Sequence, residues 1–337
     1  MNGLIITFVL IVGVVCFYFM PKTCDICGVS LLSRRKKVFY IKHEGENLHL
    51  CANCNRSLER KNSKLRFDNF IKHSVSLRED DYNPNRRPTG MSVTKFVKSI
   101  QQPRGGFIKA KDMVKEVYDD NLTLSENENI SPIIVGLAVD YLTRLMIFKD
   151  IESAFSIALK GAELAGERDS AIKLLFNINE LDSASVISAC KLSGYDVVYR
   201  KGLTLFNGVD KIEPDNDTIK NIQIMVKRAV LFFQNSGVIE SEITFEGGYS
   251  DAISSGDGDY LSKDTFWDMK VTKNEPNKDH TLQLLIYTIL LSNSVKHKDT
   301  TIKKIGIFNP RKNKSYVFRL ADIDKSSYET VYQMIYN

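Results

Sequence analysis

The chain has 337 residues, 46 Lys/Arg against 41 Asp/Glu, a net charge of +5 and 43% hydrophobic residues. That length can bury one sizeable core beside smaller modules. It contains no internal repeat and no long low-complexity tract, which excludes a solenoid and a compositionally biased disordered chain.

From the N-terminus, Gly3 to Met20 is a run of eighteen uncharged residues rich in Ile, Val, Leu and Phe, at the short limit of a spanning helix. It lacks the basic start and small-residue cleavage site of a secretory signal. Residues 1–20 therefore read as an uncleaved, single-pass membrane anchor, with a buried N-terminal helix as the other reading. The first positive charges, Lys22 and Arg34-Arg-Lys-Lys37, follow this segment and place the bulk of the chain in the cytoplasm.

Residues 21–60 carry Cys24-x-x-Cys27 and Cys51-x-x-Cys54. Two such knuckles flanking a short strand at Val38–Ile41 suit a tetrahedral Cys₄ site for a structural Zn²⁺, because each knuckle brings two thiolates to one turn. A cytoplasmic setting argues against disulfides. Of the other cysteines, Cys16 falls in the anchor and Cys190 reads as a small buried side chain. Residues 61–130 read as a basic linker with short helices. Charge divides along the chain: residues 21–115 hold 21 Lys/Arg against 9 Asp/Glu, and residues 116–337 hold 25 against 32. The basic part could meet anionic lipid or nucleic acid phosphate, or be a solvated linker, and the sequence does not separate these.

Residues 131–337 read as one mixed α/β domain. Ser131-Pro132 opens a helical stretch that Gly161 and Gly166 punctuate and Gly194 ends. A further helix over 217–235 has Asp217 as its cap and Ile219, Ile222, Met225, Val226, Ala229, Val230 and Phe233 as its apolar face. Strands follow at 238–246, 249–261 and 265–272. A helix from His280 to Leu291 has Gln283 and Tyr287 four residues apart beside its apolar stripe. Strands at 303–309 and 315–320 complete the chain, joined by a basic turn over Pro310–Lys314.

The densest chemistry lies in Gly256–Lys270. With Lys263-Asp264 as a two-residue turn, Asp259 and Asp268 face each other on antiparallel strands, and Lys270 lies two residues further along the same face. Two carboxylates placed opposite each other repel, so the arrangement makes sense with a divalent cation between them. Asp251 and Asp257 compete with Asp259 for the first position.

The order helix, three strands, helix, strand, with G-x-x-D at Gly256–Asp259, D-x-K at Asp268–Lys270 and Q-x-x-x-Y at Gln283–Tyr287, resembles the PD-(D/E)xK nucleases of the RecB-like and lambda-exonuclease-like branch. The resemblance covers roughly residues 131–320. It implies that Asp259, Asp268 and the backbone carbonyl of Met269 hold Mg²⁺ or Mn²⁺, that Lys270 orients or activates water, and that Gln283 and Tyr287 position substrate. An upstream acid on a helix, in a context similar to Gly136-Leu-Ala-Val-Asp140, would add Asp140; a helical pair with Arg144 is the other reading of that residue. The proline that precedes the first acid in the family is replaced by Gly258. The expected activity is hydrolysis of phosphodiesters, with DNA the favoured substrate. The competing expectation is a non-catalytic, membrane-tethered module that binds nucleic acid or protein through the ribbon and a nuclease-like fold.

Overall fold

The computed structural model describes residues 38–43, 46–51, 90–206, 208–297 and 300–336. The expected anchor at 1–20 and the cysteines at 24, 27 and 54 lie outside these residues. Among the described residues no helix is long and apolar enough to cross a membrane. The chain divides into two compact units, residues 1–83 and 84–337. In the first, β1 (Val38–His43) and β2 (Glu46–Cys51) form an antiparallel hairpin in which Val38 pairs with Cys51 and His43 with Glu46.

The second unit is a mixed α/β body. It includes the part of the expected linker from Met91 onward. There, β3 (Met91–Ser92) leads into α1 (Val93–Ser99), and β4 (Val114–Val117) becomes an edge of the main sheet. A helical layer follows: α2 (Pro132–Phe148), α3 (Ile151–Ala154), α4 (Ser156–Leu164), α5 (Arg168–Phe176), α6 (Ser183–Lys201) and α7 (Asn216–Asn235). Ser131 caps α2 as its sequence predicts, accepting a bond from the Ile133 amide. Gly194 does not end its helix, since α6 runs on to Lys201 before Gly202. A Cβ at Gly194 would come within 2.7 Å of Ile212 Cδ1, so this glycine serves close packing instead. The cap of α7 is Asp215, bonded to the Thr218 amide at 2.8 Å, rather than Asp217.

Six strands make the main sheet in the order β4-β10-β9-β8-β7-β5, with β5 at Val238–Ile243, β7 at Gly258–Ser262, β8 at Thr265–Met269, β9 at Lys304–Asn309 and β10 at Lys314–Arg319. Neighbours are antiparallel except β8 and β9, whose parallel pairing requires a crossover; α8 (Lys278–Asn293) supplies it. α9 (Lys325–Tyr336) ends the described chain. The strand expected over 249–261 is broken in two. Ile253–Ser255 (β6) leaves the main sheet to pair in parallel with β3, and the chain re-enters at Gly258. Crowding fixes the intervening glycine, because a Cβ on Gly256 would sit 2.7 Å from Val93 Cγ2.

The central strands are buried on both faces, as strands covered by helices on each side must be. Leu261, Phe266, Ile305 and Ile307 join Leu282, Leu285 and Ile289 of α8 in one core. The alternate residues face the other way, where Phe233 of α7 stacks on Tyr260 at 4.0 Å, and Phe232 stacks on Phe308 at 3.9 Å and meets Trp267 edge-on at 4.9 Å. Cys190 is free and fully buried in α6.

Candidate functional site

The β7–β8 hairpin pairs Tyr260 with Trp267 and Leu261 with Phe266, which leaves Lys263-Asp264 as the turn. Carried one residue outward, that register sets Asp259 opposite Asp268. Asp251 and Asp257 lie outside β7, so Asp259 is the acid that faces Asp268. The two carboxyls are anchored differently. Asp259 Oδ2 accepts the Met269 amide at 2.7 Å, and Asp268 Oδ1 accepts Lys270 Nζ at 2.9 Å. Asp268 is 2% exposed, and its second oxygen is buried with no hydrogen-bond partner.

An unpartnered buried carboxylate oxygen is costly unless a cation answers it. Burial and the neighbouring Asp268 push the Asp259 carboxyl up to about 8, with Lys270 opposing. Burial acts to lower the Lys270 ammonium, but Asp268 and Asp259 outweigh it and hold the group above its ordinary value. Lys270 therefore stays charged at neutral pH. Two facing carboxylates, one with a buried unpartnered oxygen, are hard oxygen donors of the kind Mg²⁺ and Mn²⁺ take, so these residues fit such an ion. Among the described residues no three acidic, His or Cys side chains gather in metal-binding geometry.

α8 brings the expected pair to the same place. Its start is fixed by a capping box in which Asn277 accepts the His280 amide and His280 Nδ1 accepts the Asn277 amide. Gln283 Nε2 then donates to Tyr287 Oη at 3.0 Å. Tyr287 stacks on Phe245 at 5.4 Å, and its hydroxyl is raised by burial and by the charge of Asp259. His280 is lowered by burial and by Lys270, so its ring is neutral at pH 7.

Asp140 is not gathered with Asp259 and Asp268 as a third acid. Its Oδ1 accepts Tyr260 Oη at 3.0 Å, and its Oδ2 meets Arg144 Nη2 at 2.9 Å, the helical pair that its spacing also allowed. Its charge nonetheless reaches Asp259 and Lys270. Arg144, 6% exposed in its side chain, also pairs with Glu242. The β5–β7 register puts Glu242 across from Asp259, yet it has φ 51°, a left-handed conformation that costs a non-glycine residue roughly 1–3 kcal/mol. Sequence reasoning gave Glu242 no role. Nothing in a strand pattern marks one residue for a left-handed twist that turns it toward a buried arginine. Arg144→Met, which keeps the aliphatic stem, is expected to lower stability by about 3–5 kcal/mol, because it strands two partly buried carboxylates. Urea unfolding measures this.

Comparison of the chain with protein-family models, with curated proteins and with solved structures finds no match. The site therefore rests on its own geometry. A separate groove, lined by Tyr118, Leu231, Phe232 and Asn313, has Arg228 in its wall. That guanidinium is spent on both oxygens of Asp120 and on the carbonyls of Leu122, Pro310 and Arg311, so it offers a ligand little.

Proposed function

We propose that the chain is a divalent-metal-dependent nuclease of the PD-(D/E)xK type that hydrolyses phosphodiesters in DNA. The observation that carries this reading is the buried, unpartnered oxygen of Asp268 facing the raised carboxyl of Asp259 beside a charged Lys270. With β6 set apart from the main sheet, the order of helix α7, strands β5, β7 and β8, helix α8 and strand β9 also supports this reading. Asp259, Asp268 and the Met269 carbonyl would hold Mg²⁺ or Mn²⁺. When bound, the cation offsets charge on the scissile phosphate and lowers the pKa of the attacking water.

The remaining roles belong to side chains. Lys270 is an ammonium, so it donates to the attacking oxygen and to the phosphate as negative charge develops, rather than acting as a base. Gln283 and Tyr287 supply a second polar edge to orient substrate. Asp140 acts at one remove, fixing Tyr260 and Arg144 and adding negative charge. The deciding test incubates the full-length chain with linear and circular DNA and with RNA, with and without Mg²⁺ or Mn²⁺. Binding without cleavage under every metal would favour the non-catalytic module.

The Asp259 carboxyl makes this site sensitive to pH. A raised carboxyl stabilises the metal-free fold fully at acid pH, and that contribution is lost as pH rises through about 8. Cation binding below that value must expel a proton. Mg²⁺ affinity is therefore expected to climb about tenfold per pH unit from about pH 6 to 8 and then level off. Calorimetric titration in buffers of different ionisation enthalpy reads the released proton directly; an affinity independent of pH would refute the assignment of Asp259.

The N-terminal modules belong to the same proposal. Residues 1–20 tether the nuclease to the membrane, and Cys24, Cys27, Cys51 and Cys54 hold a structural Zn²⁺. The purified chain is expected to contain about one zinc, lost in Cys24→Ser with Cys51→Ser while DNA cleavage survives. Metal analysis and membrane fractionation check the two modules separately.

A further inference from the structure

The segment from Met91 to Asp112 is cationic in an otherwise acidic part of the chain. It carries Lys95, Lys98, Arg104, Lys109 and Lys111 against a single acid, Asp112, whereas residues 116–337 hold 25 Lys/Arg and 32 Asp/Glu. All five cations are exposed, and among the described residues none has an acidic partner. Their burial pattern explains why. Val93, Phe96 and Val97 turn the apolar face of α1 into the core, which leaves Lys95 and Lys98, three residues apart, as neighbours on the outer face. The stem of Lys109 lies over Gly105, 3.5 Å from where a Cβ would stand, and so beside Arg104.

This strip is fastened along the helix that serves the site. Thr281 Oγ1 donates to the Ile108 carbonyl at 2.7 Å, and Gln102 Nε2 donates to Asp279 Oδ1 at 2.7 Å. At its other end, Val93 presses on Gly256, and a Cβ on Gly256 would lie 3.4 Å from the Tyr287 ring. The segment that carries the cations therefore starts beside Tyr287 and runs to the first turn of α8.

We infer that Lys95, Lys98, Arg104, Lys109 and Lys111 form a track for the phosphate backbone of DNA, leading the strand to Asp259 and Asp268. The inference rests on the nuclease reading for its choice of polyanion, and it deepens that reading by naming the surface that binds substrate outside the metal centre. Unpaired cations on an ordered segment release counterions when they meet phosphates, so they supply affinity without reading base sequence. An anionic bilayer is the rival ligand for such a strip. Its position beside the candidate site favours the strand, because a membrane seated there would cover the acids that the strand must reach.

The test uses the full-length chain with Asp268→Asn in every sample, so that binding is read without cleavage. Fluorescent duplex DNA is titrated over a range of salt, and phosphatidylserine and phosphatidylcholine vesicles are titrated in parallel, so that the difference between the two lipids separates the cations from the contribution of residues 1–20. Changing the five cations together to Gln is expected to lower DNA affinity by about 10²-fold or more at low salt and to reduce the slope of log affinity against log salt by about 3–4. The corresponding Arg variant, with Arg104 retained, should restore both and controls for folding. An unchanged slope overturns the track. So does loss of the preference for phosphatidylserine over phosphatidylcholine with DNA binding intact, which would assign the strip to the membrane. A chain that cuts no nucleic acid in its native form but shows the expected fall in slope keeps the track and sinks the nuclease reading alone.

Discussion

Asp268→Asn is expected to reduce DNA cleavage by about three orders of magnitude or more while leaving the metal-free fold as stable as before. The asparagine keeps the shape of the side chain and an oxygen to accept Lys270 Nζ, so the 2.9 Å contact survives. What disappears is the negative charge beside Asp259 and the buried oxygen that has no protein partner. Relief of carboxylate repulsion offsets the weaker attraction to Lys270, and the Asp259 carboxyl moves back toward its ordinary range. The corresponding measurement is the thermal shift on adding Mg²⁺, expected to be clear in the native chain and absent in the variant. Native cleavage rates in Asp268→Asn would end the metal-site assignment.

Lys270→Met should separate chemistry from binding. The ammonium is held charged by Asp268 and Asp259, so its loss removes a donor for developing charge and is expected to slow cleavage by about 10²–10³-fold. Methionine fills the stem's space without introducing a new polar group. Metal binding should persist and even strengthen, because a cation no longer competes with the ammonium for the same two carboxylates. Single-turnover cleavage together with metal titration makes the distinction: a parallel loss of both would mean that Lys270 serves structure, whereas loss of rate alone supports its role at the reacting phosphate.

The hairpin was legible because its logic is local. A two-residue turn and strict alternation fix which residues oppose which, so the facing of Asp259 and Asp268 follows once the turn is placed at Lys263-Asp264. The Gln283 and Tyr287 pair is legible for the same reason, since residues four apart share a helix face. Asp140 shows the limit of such reasoning. Its spacing to Arg144 was visible, but whether it would join the acids or the arginine depended on Tyr260, which reaches it from β7, and on Glu242, which reaches its partner Arg144 from β5.

The division follows the range of the forces involved. The sequence by itself determined the α/β character, the turn and facing acids of the β7–β8 hairpin, the cap of α2 and the position of the basic segment, because hydrophobic period, turn chemistry and charge are written over a few residues. Only the tertiary structure decided that β4 joins the main sheet, that β6 leaves it, that α6 runs through Gly194, and that Asp268 keeps one buried oxygen without a partner. Each of these outcomes depends on groups distant in the chain meeting at one place, where packing space and unmet hydrogen bonds select among conformations that are locally equivalent.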